Sequence, residues 1–276
     1  CSSDLRTRSY RESHLKISVL NYARPAEIWS TNSVAMNDSF PISPPDTGYR
    51  TSKYYGGMLN YLMHERAHRR EYDMATPQSI NISVEELLDA IKREYSNVAI
   101  HPEKEYHFHT GRAALDRIEY DQVLYAFVPE ENITSFAGTG NPFSLGPIND
   151  GDVVVDVGSG SGFDALIASQ MVGPEGRVVG IDMTHEMLSK ARSGAKNMGA
   201  NNIEFREGYA DQLPLPANFA DVLISNGVLN LSPDKEKTLR DWARVLKPGG
   251  RLYIGDILVS ERIPQEALDD ISLWTG

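Results

Sequence analysis

The chain has 276 residues, of which 24% are charged and 41% are hydrophobic, and its formal net charge is −11. These values are ordinary for a globular protein, and the length is sufficient for one large domain or two modest ones. The acidic balance disfavours a nucleic-acid partner, because phosphate backbones are bound by clustered Lys and Arg side chains. No run of about 18 apolar residues occurs, so we predict no membrane partner.

Cys1 is the only cysteine, and the chain opens without an apolar signal segment. Both features favour a cytoplasmic location, where thiols stay reduced. Residues 1–73 show no sustained helical or strand period, so we expect an irregular segment that is either disordered or not native. We expect the natural protein to start near Met74, where an organised region begins.

Residues 74–134 form a predicted helical cap region that precedes the main domain. Ser83, two following glutamates and an apolar spacing of three and four residues predict a capped amphipathic helix over 83–95. Two further short helices are predicted at 113–118 and 120–127.

From Asp152 onwards, β-branched and apolar runs that are typical of buried strands alternate with helical periods. The predicted strands cover 153–157, 177–181, 203–207, 220–225 and 251–257, the helices between them cover 163–171, 184–198 and 234–246, and Pro264 opens a last helix. This alternation indicates βαβ units. The predicted fold is an α/β, Rossmann-like, doubly wound and mainly parallel sheet with an N-terminal helical and irregular extension.

A glycine-rich turn follows the first of these strands, and ligands of such sheets bind at the carboxyl ends of the strands. Its candidate cofactor-binding residues are Asp156, Gly158, Ser159, Gly160 and Gly162. Glycines permit backbone conformations that a β-carbon would block, and they let the chain pass close to a ligand. The dinucleotide fingerprint requires a further glycine where this chain has Phe163. A carboxylate before the turn suits the cationic amino-acid end of S-adenosylmethionine and suits a pyrophosphate poorly.

The ends of the next strands add five more candidates for the same cofactor, namely Asp182, Met183, Ala210, Asp211 and Asn226. We expect Asp182 to accept the ribose hydroxyls, Met183 to pack on the adenine, and Asp211 or the Ala210 backbone to bind the adenine amino group. Asn226 is expected beside the methionine portion. Asp182 as a helix cap and Asn226 as a turn residue are the plainer alternatives.

Five stretches carry a resemblance to a known family: Gly140-Asn141-Pro142, Asp156 to Asp164, Gly180 to Thr184, Ile224 to Lys235, and Val245 to Leu252. Residues 135–276 resemble the arsenite methyltransferase branch of the class I S-adenosylmethionine-dependent methyltransferases. The resemblance implies S-adenosylmethionine as cofactor, a small-molecule acceptor and the methyltransferase fold. Sheets of this class have seven strands, so it also implies a domain that is C-terminally truncated at Gly276.

The chain departs from that branch where the resemblance places the arsenic ligands. Arsenite methyltransferases hold trivalent arsenic through cysteine thiolates, and two of those positions are Thr139 and Gly227 here. Soft As(III) prefers sulfur, which a hydroxyl and a glycine do not replace. Thr139, Asn141 and Gly227 are expected to line the acceptor side, but arsenite as substrate does not follow.

Other candidate residues lie before the main domain. His107 and His109 alternate along a segment that, if extended, places both on one face, where they are candidate catalytic bases. Surface histidines are the plainer interpretation, and with no third ligand at a suitable spacing we predict no metal site. Arg112 is a candidate for binding an anionic substrate.

The sequence therefore predicts an S-adenosylmethionine-dependent methyltransferase of undetermined oligomeric state. Two alternatives stay open. One is a non-catalytic module that binds the cofactor, which the missing cysteines suggest. The other is an NAD(P)-dependent oxidoreductase, which the glycine spacing disfavours.

Overall fold

The computed structural model describes residues 16–23, 81–118, 120–258 and 265–275. The expected irregular segment 1–73 therefore lies outside the described residues, apart from one strand. The strands are β1 (Lys16–Ala23), β2 (Val153–Val157), β3 (Arg177–Asp182), β4 (Ile203–Glu207), β5 (Ala220–Asn226) and β6 (Leu246–Leu258). The helices are α1 (Val84–Ile100), α2 (Gly111–Arg117), α3 (Gln122–Tyr125), α4 (Glu130–Thr134), α5 (Phe163–Met171), α6 (His185–Asn197), α7 (Lys235–Val245), α8 (Gln265–Leu268) and α9 (Ile271–Thr275). Short 3₁₀ helices cover Pro142–Leu145 and Leu229–Leu231.

The strands form one sheet in the order β1-β6-β5-β2-β3-β4. Strands β2 to β6 run parallel, and β1 pairs antiparallel with the outer side of β6. The chain leaves β2 towards β3 and β4, then returns to place β5 on the other side of β2. This reversal is a topological switch point, and it opens a crevice at the carboxyl ends of β2 and β5.

The alternation of side chains along β2 distributes the core over two layers. Val154 packs in one layer with residues of α5 and α6, whereas Val155 and Val157 pack in the other layer beneath α7. In the second layer Trp242 is fully buried, as the amphipathic period of α7 requires. The same alternation turns Asp156 towards the α5 layer.

The predicted parallel α/β sheet is confirmed, with five parallel strands close to the predicted positions. Four details differ. Helix α1 continues to Ile100. Strand β6 begins at Leu246 instead of at 251, and its register with β5 shifts between Ala220 and Val222, so residues 247–250 form an irregularity inside the strand. The last helix is split into α8 and α9. The strand β1 corrects the expectation for its eight residues, because its partner lies more than 200 residues away and no local pattern reveals it.

The glycine that ends the turn after β2 is required by packing. Gly162 has φ +87°, and a Cβ there would lie 2.9 Å from both Ala191 Cβ and Phe205 Cζ. Gly199 also has a positive φ, +64°, but a Cβ there would meet nothing within 4 Å. Comparing substitutions at the two glycines therefore separates the free-energy cost of a left-handed backbone from the cost of steric overlap.

We expect Gly162→Ala to lower the free energy of unfolding by about 2–5 kcal/mol, from the left-handed conformation and from overpacking together. Gly199→Ala is the matched control and should cost about 1–2 kcal/mol, because only the conformation is unfavourable there. Urea unfolding of both variants measures the difference. Equal losses would show that the contact of Gly162 with α6 and β4 is not tight.

Candidate functional site

The crevice at the switch point is the candidate site. It has an empty volume of about 1100 Å³ and lies between the carboxyl ends of the parallel strands and the helix α1. Of the predicted cofactor residues it is lined by Asp156, Gly158, Ser159, Gly160, Asp182, Met183, Ala210, Asp211 and Asn226. Gly162 lies behind the crevice, in the packing contact described above.

The glycine turn is fixed against the neighbouring strand by its own backbone. The amides of Gly158 and Ser159 donate to the carbonyl of Ile181, over 2.7 and 3.0 Å. Gly158 and Gly160 have φ values of +71° and +52°, which favour glycine. A Cβ at Gly158 would overlap Val228, whereas a Cβ at Gly160 would meet only Met187 Sδ, at 3.9 Å. The turn is therefore closed towards Val228 and open towards the crevice at Gly160.

Asp182 joins the glycine turn to the start of α6. Its Oδ2 accepts a hydrogen bond from the Gly160 amide at 2.9 Å, and its Oδ1 accepts one from the Thr184 amide at 2.8 Å. The helix-cap interpretation therefore describes part of what this residue does. A carboxylate has about four lone-pair sites, so it can also accept the hydroxyls of a ribose.

Two buried polar atoms of the turn have no protein partner. Asp156 is 2% exposed and its Oδ2 accepts no hydrogen bond, and the Oγ of the buried Ser159 is also unpaired. Burial raises the pKa of Asp156 well above its usual range, and the nearby Asp164 and Asp182 carboxylates raise it further. A cation that donates hydrogen bonds at this point would compensate the buried acid. The residues present therefore fit the ammonium group of S-adenosylmethionine, which donates hydrogen bonds, and their negative charge suits its sulfonium, which does not donate them.

Asp164 is a functional candidate that sequence reasoning missed. It lies in the first turn of α5 and lines the crevice beside Asp156. Its Oδ1 accepts from the Tyr120 hydroxyl at 2.5 Å, and its Oδ2 accepts from Asn226 Nδ2 at 2.9 Å. Burial raises the pKa of Asp164 to about 6, although both hydrogen bonds oppose that rise.

The electrostatic character of the crevice follows from its lining. Among the described residues that line it are four carboxylates, of Asp156, Asp164, Asp182 and Asp211, and no Lys, Arg or His side chain. Charges in a partly dry crevice interact more strongly than they do in water. The site therefore selects for a ligand that carries positive charge, which disfavours the pyrophosphate of a dinucleotide.

Helix α1 forms the apolar wall opposite the glycine turn through Val84, Leu88, Ile91 and Tyr95. Two hydrogen bonds hold this wall in place. Ser96 Oγ donates to Glu186 of α6 at 2.8 Å, and Lys92 Nζ donates to the Tyr209 hydroxyl at 2.8 Å. The sequence predicted the helix as part of a cap but did not place it over the cofactor residues.

The predicted adenine end is partly engaged by the protein itself. The Ala210 carbonyl accepts from Trp242 Nε1 at 2.8 Å, and Asp211 Oδ2 accepts from Lys237 Nζ at 2.7 Å. Met183 lines the crevice beside them. The lone pairs that remain on Ala210 and Asp211 are the ones available to a ligand.

Thr139 and Gly227 lie next to each other at the end of β5. A Cβ at Gly227 would lie 3.2 Å from Thr139 Cγ2, and the buried Thr139 Oγ1 has no hydrogen-bond partner. The other two predicted substrate residues have structural partners. Asn141 Oδ1 caps a 3₁₀ helix by accepting from the Phe143 amide at 3.0 Å, and Arg112 pairs with Glu130 on the surface, outside the crevice.

The structure does not bring the predicted catalytic histidines to the crevice. His107 and His109 are both exposed and neither lines it. Phe108, which lies between them, stacks on Tyr95 and Tyr106 at centroid distances of 5.7 Å. Both imidazoles therefore face solvent, and the assignment of a base has no structural support. Within the described residues, no cluster of His, Cys, Asp or Glu is suited to a metal ion.

A parallel sheet with a glycine-rich first turn, an acid after the second strand and an acidic crevice defines a Rossmann-like domain for a cationic nucleoside cofactor. Comparisons with known proteins specify it further. Residues 148–275 match the family model described as a methyltransferase domain. In the part of the chain that the structure describes, no helix is long and apolar enough to cross a membrane.

The relatives agree with that match. An arsenite methyltransferase from Halobacterium salinarum is 44% identical over 167 residues, which are 60% of this chain and 42% of that protein. One from Aquipseudomonas alcaligenes is 43% identical over 132 residues, 45% of this chain and 38% of that protein. The crystal structure of an arsenic(III) S-adenosylmethionine methyltransferase from Chlamydomonas reinhardtii is 38% identical with a TM-score of 0.50, and the match covers 53% of this chain and 51% of that one.

The chain thus spans less than half the length of these two curated relatives. Within that span, residues 148–275 match a methyltransferase domain and are similar in sequence to the arsenite methyltransferases.

We expect Asp156→Asn to weaken S-adenosylmethionine binding by about 10- to 100-fold, because a buried hydrogen bond to a charged group contributes about 1.5–3 kcal/mol. The fold should persist, since the variant removes a buried charge without changing volume. Isothermal calorimetry measures the affinity. Glu175→Gln, an exposed carboxylate before β3 and thus at the other end of the sheet, is the control. Unchanged affinity in Asp156→Asn would contradict the site.

The raised pKa values predict that cofactor binding depends on pH. Asp164 shifts from 3.8 to about 6 in the fold, and a bound cation favours its ionised form. S-adenosylmethionine affinity should therefore rise as pH increases through about 6, with release of protons on binding. In the ligand-free protein the same shift makes the free energy of unfolding fall as pH rises from about 4 to 6, because the folded state binds more protons there.

Calorimetry in buffers of different ionisation enthalpy measures the released protons. S-adenosylhomocysteine, which lacks the sulfonium charge, is the matched ligand and should release fewer. Equal proton release by the two ligands would contradict a role for the carboxylates in binding the sulfonium.

Proposed function

We propose that this chain is an S-adenosylmethionine-dependent methyltransferase that acts on a small-molecule acceptor. The observation that carries the proposal is the buried Asp156 carboxylate, whose free oxygen faces an acidic crevice at the switch point of the sheet. The match of residues 148–275 to a methyltransferase domain supports the same function. A cytoplasmic location stays a prediction from the sequence, and the proposal does not include an oligomeric state.

Each part of the cofactor has protein groups suited to it. Asp156 and Ser159 carry free buried oxygens for the amino-acid end, and Asp182 carries lone pairs for the ribose. Met183, Ala210 and Asp211 line the adenine end. When bound, S-adenosylmethionine supplies an electrophilic methyl group on a sulfonium. The protein then contributes position, through the fixed turn, and exclusion of water, through the apolar face of α1.

The acceptor side favours a substrate other than arsenite. Thr139 and Gly227 adjoin each other, and of the two only Gly227 lines the crevice. Thr139 carries a buried, unpaired hydroxyl, and neither residue carries a thiolate. A hydroxyl is a hard ligand that hydrogen-bonds, and it does not hold As(III) as sulfur does. We therefore assign the acceptor to small molecules that a hydroxyl and an apolar wall can bind.

The alternatives are weaker. A dinucleotide-dependent oxidoreductase would place a pyrophosphate among four carboxylates, which repel it. One specific observation favours a non-catalytic module that binds S-adenosylmethionine. Thr139 and Gly227 stand at the two positions where the resemblance to arsenite methyltransferases leads us to expect cysteines.

The experiment is a turnover assay that detects S-adenosylhomocysteine by mass spectrometry. The chain is incubated with S-adenosylmethionine and separate panels of small thiols, thioethers, amines and phenols, and with arsenite. We expect product with at least one of the organic panels and none with arsenite, and at subsaturating S-adenosylmethionine Asp156→Asn should form about 10- to 100-fold less product. Turnover of arsenite would contradict the acceptor assignment. Tight binding of S-adenosylmethionine with no turnover in any panel would favour the non-catalytic module.

A further inference from the structure

The side chain of Asn226, at the end of β5, uses all of its hydrogen-bonding capacity. Its Oδ1 accepts from the amides of Thr139 and Gly140, over 2.8 and 2.9 Å. Its Nδ2 donates to the Gly140 carbonyl at 2.7 Å and to Asp164 Oδ2 at 2.9 Å. A primary amide has two donors and two principal acceptor sites, so none is left for a ligand. The side chain of Asn226 therefore holds a loop.

That loop lies close against the sheet. A Cβ at Gly138 would lie 2.5 Å from Asn226 Nδ2, and a Cβ at Gly255 of β6 would lie 3.0 Å from Gly140 Cα. The backbone from 138 to 140 is thus packed directly on the ends of β5 and β6. It carries Thr139, whose unpaired hydroxyl adjoins Gly227.

Asp164 fixes the orientation of the Asn226 amide. Two of the four hydrogen bonds of that amide require Oδ1 to face the backbone amides of the loop. If Oδ1 and Nδ2 were exchanged, the amide oxygen of Asn226 would face the Asp164 carboxylate, which repels it. Asp164 is in turn held by the Tyr120 hydroxyl at 2.5 Å. Only a carboxylate can accept from a phenol and an amide at once through its two oxygens without donating to either.

Tyr120 has little freedom to move. It is 4% exposed, and its ring makes edge-to-face contacts with Tyr125, Phe136, Phe143 and Phe163 at centroid distances of 5.4 to 6.3 Å. Phe136 lies two residues before Gly138, the first residue of the packed loop. Aromatic clusters of this kind add to the energy of burial and hold each ring in one place.

We infer that Asp164 and Tyr120 are positioning residues that act through Asn226 to hold the 138–140 loop, whose Gly138 lines the methyl-donor crevice and whose Thr139 adjoins Gly227 of the same lining. Asp164 touches both sides of the site, since it lines the cofactor crevice and accepts from the residue that holds the loop. The role of the loop in placing an acceptor rests on the proposed function. The series of hydrogen bonds from Tyr120 through Asp164 and Asn226 to Gly140 does not depend on that function.

Two isosteric variants break the chain at different points. Asp164→Asn replaces one acceptor oxygen by a donor, so either the Tyr120 or the Asn226 bond is lost. Tyr120→Phe removes a single hydroxyl and leaves the crevice lining unchanged. Tyr253→Phe is the matched control, because Tyr253 is fully buried and donates its hydroxyl to the Pro147 carbonyl at 3.1 Å, outside the chain of contacts.

The measurement is native-state hydrogen exchange of the Thr139 and Gly140 amides, without cofactor or acceptor. We expect both isosteric variants to speed this exchange roughly tenfold, as the loss of one hydrogen bond to a charged group predicts. Tyr253→Phe should leave it unchanged. Calorimetry with S-adenosylhomocysteine should give Tyr120→Phe an affinity within about threefold of the parent protein, because the ring does not line the crevice.

Unchanged exchange in both variants would overturn the inference. An equal increase in Tyr253→Phe would also overturn it, since the effect would then be general loosening of the fold. Because no turnover is measured, a chain that methylates nothing can still give either result. Failure of the proposed function and failure of this inference are therefore distinguishable.

Discussion

The site is organised around three carboxylates at the carboxyl ends of the parallel strands, two of them buried and the third, Asp182, half-buried. Asp156, Asp164 and Asp182 approach one another because β2, α5 and β3 all meet at the switch point. Burial raises the pKa of each. Asp164 and Asp182 are compensated by hydrogen bonds from the protein, and Asp156 keeps one free oxygen. Asp156 is therefore the carboxylate that, in the proposed function, pairs with a cationic ligand.

Donor and acceptor sides of the crevice are built by different means. The donor side uses backbone geometry, in a glycine turn fixed to β3 and closed by Val228. On the proposed acceptor side, hydrogen bonds of the Asn226 side chain hold a loop that lies outside the helices and strands. A turn set by backbone conformation tolerates few substitutions, whereas a loop held by side chains can change its exposed residues and keep its place. This difference explains how a chain can retain the cofactor site and alter the residues beside it.

The elements that the sequence predicts best are those with strong local signals. The β-branched run of β2 and the glycines after it specify their own conformation, and the predicted turn is where the crevice lies. Asp164 was missed because an acid in the first turn of a helix is common, and its partners Tyr120 and Asn226 lie 44 and 62 residues away. The two histidines lie outside the crevice because the half-buried Phe108 between them packs on Tyr95 and Tyr106, and sequence alternation alone does not show which side of such a segment faces inwards.

The two altered positions are constrained by each other. Gly227 has φ +71°, and a Cβ there would lie 3.2 Å from Thr139 Cγ2, so a larger residue at 227 requires Thr139 to shift slightly. Together they carry one buried hydroxyl without a hydrogen-bond partner and no thiolate. These two residues therefore offer no soft ligand to As(III). Because Asn226 holds the 138–140 loop by bonds to the backbone amides of Thr139 and Gly140, the side chain at position 139 can differ without loss of those bonds.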